Sequence, residues 1–555
     1  MKFSKIFKTT ALSLGAVLAL SGCIRETFPK EGAITEGQLM AGQAEVVAEN
    51  LLKGIPSGLM TYISGWEHTD FGYHSVGIYN DYACGLMVSN GWTIGNPAGY
   101  CRFYPAAYSW GYASNSAMPS HVWYNYYPQI KACNDVIRVV GDNEALKHYV
   151  GIARTYRAMM YIDLARMFEC LYAENENNPN YESEQIAVAG LTVPIVDENL
   201  DEQGAKNNPR ATREEMFKFI FADLAFAEEA LAEYTPTSIT NPDLSVVYGL
   251  YARAYLWLGG FEDGLSGELP QGNAAYAKAA EYARLAINAH GGGAVMSEAE
   301  WTSVTNGFNT PASSWMWGLQ HSVDTVINNL FQFTAHMALE ASYGYAPLSQ
   351  PGVSSLDYER LSDTDFRKKL MKGPNTNYAD IAPYTSMSAD EFNALADYVF
   401  FKYRPANGNR TEYKAAGAVA LPLMRCEEMY FIEMEAIAHT KGAETAMFAL
   451  VDFMQTYRDP DYAYKSQDVV DEIIFQKGIE FWGEGIKMYD MKRLDKGYKA
   501  SYEGTNYDES ARFNLKGRAP WWTYCIPKDE TDMNKAAAHQ GANPNPTQAF
   551  DPITL

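Results

Sequence analysis

The sequence predicts a mainly α-helical chain: helix pairs stacked into a superhelix, with a large irregular loop-rich region and a few short strands. Three observations predict it. Apolar residues recur with the 3.6-residue period of a buried helix face, mainly within 121–300 and 422–495. Glycine-bearing breaks such as Gly259-Gly260 and Lys441-Gly442 separate consecutive periodic segments, so that neighbours fold back as pairs. Segments 61–120, 301–421 and 502–555 lack this period and are rich in Gly, Pro, Asn and aromatic residues. A stack also accommodates 555 residues, a length that strains one compact core but not a locally continuous one.

The elements follow in chain order. Lys2, Lys5 and Lys8 precede an apolar run from Ala11 to Leu20, which closes on Leu20-Ser21-Gly22-Cys23. This is the pattern of a lipoprotein signal peptide over 1–22. The apolar run is about half of the ~20 residues a membrane-spanning helix needs. Cleavage before Cys23 leaves its thiol to carry lipid, so a lipidated tether over 23–40 and one domain over 41–555 are expected.

Ala153, Tyr156, Met160 and Leu164 line one face of a helix running to about Cys170. Thr212-x-x-Glu215 is a capping box, and it opens a helix whose face is Met216, Ile220, Leu224, Ala227 and Leu231. Val247, Tyr251, Ala254 and Leu258 mark a third, ending at Gly259. A fourth spans about Ala274 to Ala289, with Ala275, Ala279, Tyr282 and Ala286 on one stripe. Leu256-Trp257-Leu258-Gly259 followed by Tyr276, Ala280 and Ala283 has the order of a tetratricopeptide pair. Glu427–His439 and Thr445–Arg458 form a second such pair. Trp315–Leu319 reads as a short buried strand. Trp123, Trp257 and Trp482 sit at helical spacing and are expected in the core. If Trp521-Trp522 lie in a strand, their rings point to opposite faces and at most one is buried.

Composition narrows the function. A net charge of −23 excludes nucleic acid, whose phosphates demand basic surface. Cys133, Cys170 and Cys426 fall in helical patterns, where buried free thiols are the common fate. Cys84 and Cys101 are close enough in sequence for a disulfide to be considered. The sequence has no CxxC, HExxH, GxSxG, P-loop or dinucleotide fingerprint, and its nine histidines show no metal-ligand spacing. No cofactor, metal or catalytic residue is expected. Glu480 and Glu484 are spaced i, i+4, as a carboxylate pair for glycan hydrolysis could be. Such a pair is more often solvated or neutralised locally, here by Lys477, Lys487 or Arg493.

Several stretches, in order, resemble the SusD/RagB family of nutrient-binding outer-membrane lipoproteins of Bacteroidetes. They are His121-Val122-Trp123 through Tyr127, Ile130 and Asn134; the Arg154–Arg166 segment RTYRAMMYIDLAR; Gly190-Leu191-Thr192-Val193-Pro194; and Arg210-Ala211-Thr212 leading into FKFIFADLAFAEEAL. YGLYARAYLWLG, Asp363–Arg367 and Arg425–Glu428 follow, then the most telling segment, Ile473–Arg493 (IIFQKGIEFWGEGIKMYDMKR), and finally Ile526-Pro527-Lys528. Gln476-Lys477 stand where the family commonly has an acidic-arginine pair, and Lys487 replaces a usual arginine; these are read as structural positions. Glu26 and Glu31 supply the acidic residues just after Cys23, a weak form of the surface-export signal.

The resemblance implies about four helix pairs and an irregular region that binds the ligand. It also implies a non-enzymatic protein held on the outer membrane through Cys23, facing the exterior. Its partner would be a SusC-like TonB-dependent transporter, whose mouth it covers while capturing glycans or, in a RagB-like branch, peptides. A tetratricopeptide adaptor lipoprotein that binds no nutrient is the rival reading. Long aromatic insertions, for which an adaptor has no need, disfavour it. Family binding residues follow no fixed motif, so candidates come from chemistry. Aromatic rings stack on sugar C–H faces, and amides, carboxylates and guanidinium groups bond hydroxyls. Asp81, Asn90, Trp92, Asn96, Arg102 and Trp110 concentrate both types in one stretch. Phe331, Phe333, Tyr343 and Tyr345, following Trp317, form a second cluster expected to complete the cleft.

Overall fold

The computed structural model describes residues 44–61, 72–90, 113–330, 332–546 and 549–555. Its helical body is built from α1 (Ala44–Leu59), α2 (Tyr73–Ala83), α3 (Ala117–Val140), α4 (Lys147–Phe168), α5 (Arg213–Ala230), α6 (Leu244–Gly259), α7 (Gly272–Ala289), α8 (Cys426–Thr440) and α9 (Ala443–Tyr457). Two further helices, α10 (Val469–Glu480) and α11 (Lys487–Arg493), flank it. Packing runs α1 on α3, α3 on α4, α4 on α5, and onward pair by pair to α8 on α9. This is the expected stack of four helix pairs.

Local chemistry sets the boundaries. At α5 the capping box closes as read: Thr212 Oγ1 accepts from Glu215 N at 3.2 Å, and the Glu215 carboxylate accepts from Thr212 N at 2.9 Å. Met216, Ile220, Leu224, Ala227 and Leu231 are all fully buried. Asp243 caps α6 by accepting from Ser245 N and Val246 N. That helix ends where Gly259 lets Tyr276 of α7 lie against its backbone; a Cβ there would stand 2.7 Å from the ring. Ala275, Ala279, Ala283 and Ala286 bury a small-residue stripe along α7, which admits close helix approach.

Among the described residues, six short strands pair antiparallel: β1 (Val88–Ser89), β2 (Leu191–Pro194), β3 (Arg210–Thr212), β4 (Trp315–Gln320), β5 (Pro351–Gly352) and β6 (Ala420–Arg425). The pairs are β1 with β5, β2 with β3, and β4 with β6. β4 is the buried strand expected at Trp315–Leu319. Trp123, Trp257 and Trp482 are in the core as expected.

Three expectations are corrected. Segment 61–120 is not wholly irregular, since it contains α2. Its residues are buried almost all round, polar and apolar alike, so no apolar stripe marks it. Trp521 and Trp522 are both buried. They occupy a 3₁₀ turn, Pro520–Trp522, in which successive side chains are not opposed, and both indole nitrogens donate to Ala83 O, at 3.0 and 2.9 Å.

The third correction concerns Glu480 and Glu484. Neither is solvated nor paired with Lys477, Lys487 or Arg493. Glu480 receives Arg425 at 3.0 Å, Arg458 at 2.8 Å and Arg367 at 3.4 Å. Glu484 receives Arg425 at 2.9 Å and Lys402 at 2.7 Å. Lys477 bonds Asp490 at 2.7 Å instead, and Arg493 bonds Glu435 at 2.7 Å. Burial pulls Lys402 down to about 8 even with Glu484 beside it. These buried ions join the loop-rich layer, through Arg367 and Lys402, to β6 and α10 of the helical body.

Cys84, Cys133, Cys170, Cys426 and Cys525 are buried free thiols. Cys101, the considered partner of Cys84, lies outside the described residues, as do Cys23 and the signal segment. No helix among the described residues is long and apolar enough to cross a membrane.

Candidate functional site

The loop-rich layer converges on one corner. From α2 the chain passes through Gly85 into β1, whose Val88 and Ser89 pair with Gly352 and Pro351 of β5. Gly352 in turn bridges Val399. Asn90 follows this strand, and residues 91–112 lie outside the described residues. Asn90 Nδ2 donates to Gln350 O at 3.2 Å, and its Oδ1 accepts from Asn506 Nδ2 at 2.7 Å. Asn506 Nδ2 also donates to Val353 O at 3.0 Å, and its Oδ1 accepts from Ser355 N at 2.9 Å. Three segments far apart in sequence thus meet through two amides.

Around this corner stand half-buried tyrosines. Tyr358 packs edge-on against Tyr398, with centroids 5.5 Å apart. The Tyr502 hydroxyl lies 2.9 Å from Ser355 Oγ. Burial, then Glu359 and Asp397, raises the Tyr398 hydroxyl, which therefore stays protonated and able to donate. Beside them runs a groove of about 770 Å³. It is lined by Asp357 and Glu359, by Ile474 and Phe475 of α10, and by Tyr498 and Lys499. Sequence reading missed this groove because its walls come from about 354–360, 474–475 and 487–516, and no motif links them.

The predicted site residues fare unequally. Asn90 lies at the lip of the corner, half-buried. Trp92, Asn96, Arg102 and Trp110 lie outside the described residues. Asp81 is corrected from ligand contact to scaffold. It is fully buried, and its Oδ2 accepts from Gly483 N at 2.5 Å and Gly485 N at 3.4 Å. Burial pushes its carboxyl up to about 7 against the pull of those amides. Tyr345 is corrected likewise: it is 7% exposed, with its ring against His336. Tyr343 keeps partial exposure, its hydroxyl 3.0 Å from Thr334 Oγ1. Phe333 is core, edge-on to Tyr403 at 4.7 Å. Trp317 is core too, its indole donating to Thr240 O. Phe331 lies outside the described residues.

Chemically, the corner offers rings, amides, hydroxyls and mixed charge, the groups that hold a polyhydroxylated ligand. Among the described residues it offers no arranged nucleophile. Glu480 and Glu484 are sealed in ion pairs, and among the described residues no group of His, Cys, Asp and Glu is placed to hold a metal ion.

Residues 344–544 match the family model of the SusD family. Solved structures share the fold over nearly the whole chain. A SusD-like carbohydrate binding protein from Bacteroides vulgatus is 19% identical, covering 89% of this chain and 97% of its own, with a TM-score of 0.66. A SusD superfamily protein from Bacteroides thetaiotaomicron is 18% identical, with 90% and 99% covered and a TM-score of 0.62. One from Parabacteroides distasonis is 16% identical, with 91% and 99% covered and a TM-score of 0.62. At such identities the likeness establishes the fold. No curated protein matches the sequence.

Proposed function

The chain being a SusD/RagB family protein, matched over residues 344–544, we propose that it is an outer-membrane lipoprotein, anchored through Cys23, that captures glycans. It hands them to a SusC-like TonB-dependent transporter and performs no chemistry on them. The anchor rests on the tripartite signal ending at Cys23. The transporter and the outward-facing position rest on the family resemblance.

One observation carries the capture step. Residues 88–90, 350–355 and 502–507 converge through the Asn90–Asn506 amide pair, at the point from which the segment bearing Trp92 and Trp110 extends. The fixed amides and tyrosine hydroxyls of this corner supply hydrogen-bond partners that sugars require, and the stacking faces are assigned from the sequence to Trp92 and Trp110, which lie outside the described residues.

Titration calorimetry and affinity gels with the full chain in detergent test the reading, using a panel of polysaccharides and peptide mixtures. The chain is expected to bind a polysaccharide. A Trp92→Ala/Trp110→Ala variant is expected to lose tenfold or more in affinity, about 1.4 kcal/mol, with an unchanged melting temperature. Binding of peptides alone places the protein in a peptide-import role. Silence across the panel contradicts capture by this chain and favours the adaptor reading.

A further inference from the structure

The groove beside the corner has a charge pattern at odds with a chain of net charge −23. Five cationic side chains line it: Arg360, Lys487, Lys496, Lys499 and Lys516. Two are neutralised. Arg360 pairs with Glu472 while lying 3.9 Å over the Phe475 ring, and Lys496 pairs with Asp471 at 2.7 Å and Asp468 at 3.5 Å. For Lys487, Lys499 and Lys516, no described carboxylate lies within the 4.0 Å of an ion pair.

These three are placed by the fold. Lys499 bridges Asn514, and Leu515 N donates to Tyr498 O at 2.9 Å, so Lys499 and Lys516 lie on adjoining segments. Lys487 opens α11, its stem packed against Gly478, where a Cβ would stand 2.8 Å from Lys487 Cδ. The Asp81 carboxylate feels the Lys487 charge but is bonded to the Gly483 and Gly485 amides. Asp357 and Glu359, which also line the groove, carry no ion pair among the described residues.

We propose that this groove takes an anionic saccharide, one bearing carboxylate or sulfate groups, read by Lys487, Lys499 and Lys516. The inference rests on the glycan-capture reading and names its substrate class. Ammonium groups without a counter-charge complement acid substituents, and Asp357 and Glu359 accept sugar hydroxyls. A local positive field within a negative protein confers selectivity and draws an acidic chain to this one place. Long flexible lysines suit a polymer whose acid groups recur at variable spacing, since each acts as a point charge without fixed geometry.

The test uses the full chain in detergent with polygalacturonate and its methyl ester, and with chondroitin sulfate and its desulfated form. These pairs differ in charge while sharing a backbone, and the two acids separate carboxylate from sulfate. At least one acidic polymer is expected to bind tenfold or more tighter than its uncharged or less charged partner, and to weaken as salt rises. Lys487→Gln/Lys499→Gln/Lys516→Gln is expected to lose that preference while melting like the parent. Equal binding within both pairs, or an unchanged preference in the triple variant, overturns the inference and leaves capture standing. Absence of binding to every saccharide in the wider panel as well overturns both.

Discussion

Glu480→Gln is expected to lower the stability of the fold by about 3–5 kcal/mol, the cost of breaking a buried charge network. The substitution changes almost no volume, so cavity formation does not contribute. It removes the anion shared by three buried guanidinium groups. Arg458 bonds both carboxylate oxygens, at 2.8 and 2.9 Å, Arg425 bonds one at 3.0 Å, and Arg367 approaches at 3.4 Å. Asp365 remains with Arg367, Glu484 with Arg425, and Glu427 with Arg425 and Arg458. The residual cluster is therefore short of one negative charge, and a neutral amide does not supply it.

The same network predicts a pH signature. Burial alone would raise the Glu480 carboxyl, but Arg458, Arg425 and Arg367 hold it well below its ordinary 4.5. A depressed folded-state pKa means that the unfolded chain takes up protons first on acidification. The stability from Glu480 is thus complete above pH 4.5 and drains as pH falls towards the folded-state value. Urea denaturation of parent and variant measures the effect. A gap of several kcal/mol at neutral pH that narrows progressively as pH falls below the ordinary 4.5 is expected, and a neutral gap below about 1 kcal/mol contradicts the assignment.

Gly485→Ala is expected to cost about 2–5 kcal/mol, summing left-handed strain of ~1–2 kcal/mol with overpacking of ~1–3 kcal/mol. Gly485 has φ +75°, and a Cβ there would stand 2.3 Å from the Gly77 Cα of α2. Neither partner is a flexible side chain, so the two backbones must separate. Separation also loosens the Gly483 and Gly485 amides from Asp81. Gly292→Ala is the control: its φ is +87°, with nothing within 4 Å of the added Cβ, so only the conformational part remains. The urea midpoint of the Gly485 variant should fall well below that of the Gly292 variant; equal midpoints contradict a packing role for the Gly77–Gly485 contact.

What the sequence disclosed follows from the range of the interactions involved. The capping box at Thr212, the buried face of α5, the Gly259 break and strand β4 are written in residues a few positions apart, so periodicity and spacing reveal them. For Glu480 the sequence offers Lys477, Lys487 and Arg493 because only partners near along the chain are legible, whereas Arg367 and Arg425 arrive from distant segments. Trp521-Trp522 misled through an assumed two-residue period where the chain takes a tight turn. Asp81 has the chemistry of a ligand residue, and only its burial, set by tertiary packing, assigns it to the Gly483–Gly485 turn. The tyrosines of the corner, Tyr358, Tyr398 and Tyr502, sit in three segments distant in sequence, Tyr358 on a short helix (Ser355–Arg360), and their meeting depends on the β1–β5 pairing and the Asn90–Asn506 bond.

Hydrogen exchange of the full chain, with and without a saturating polysaccharide that it binds, tests most directly where capture takes place. The account predicts slowed exchange in 88–112, 350–358 and 498–507, with the outer helices α5 to α7 unchanged. Protection confined to those helices, with the corner exchanging as in the free protein, would contradict it.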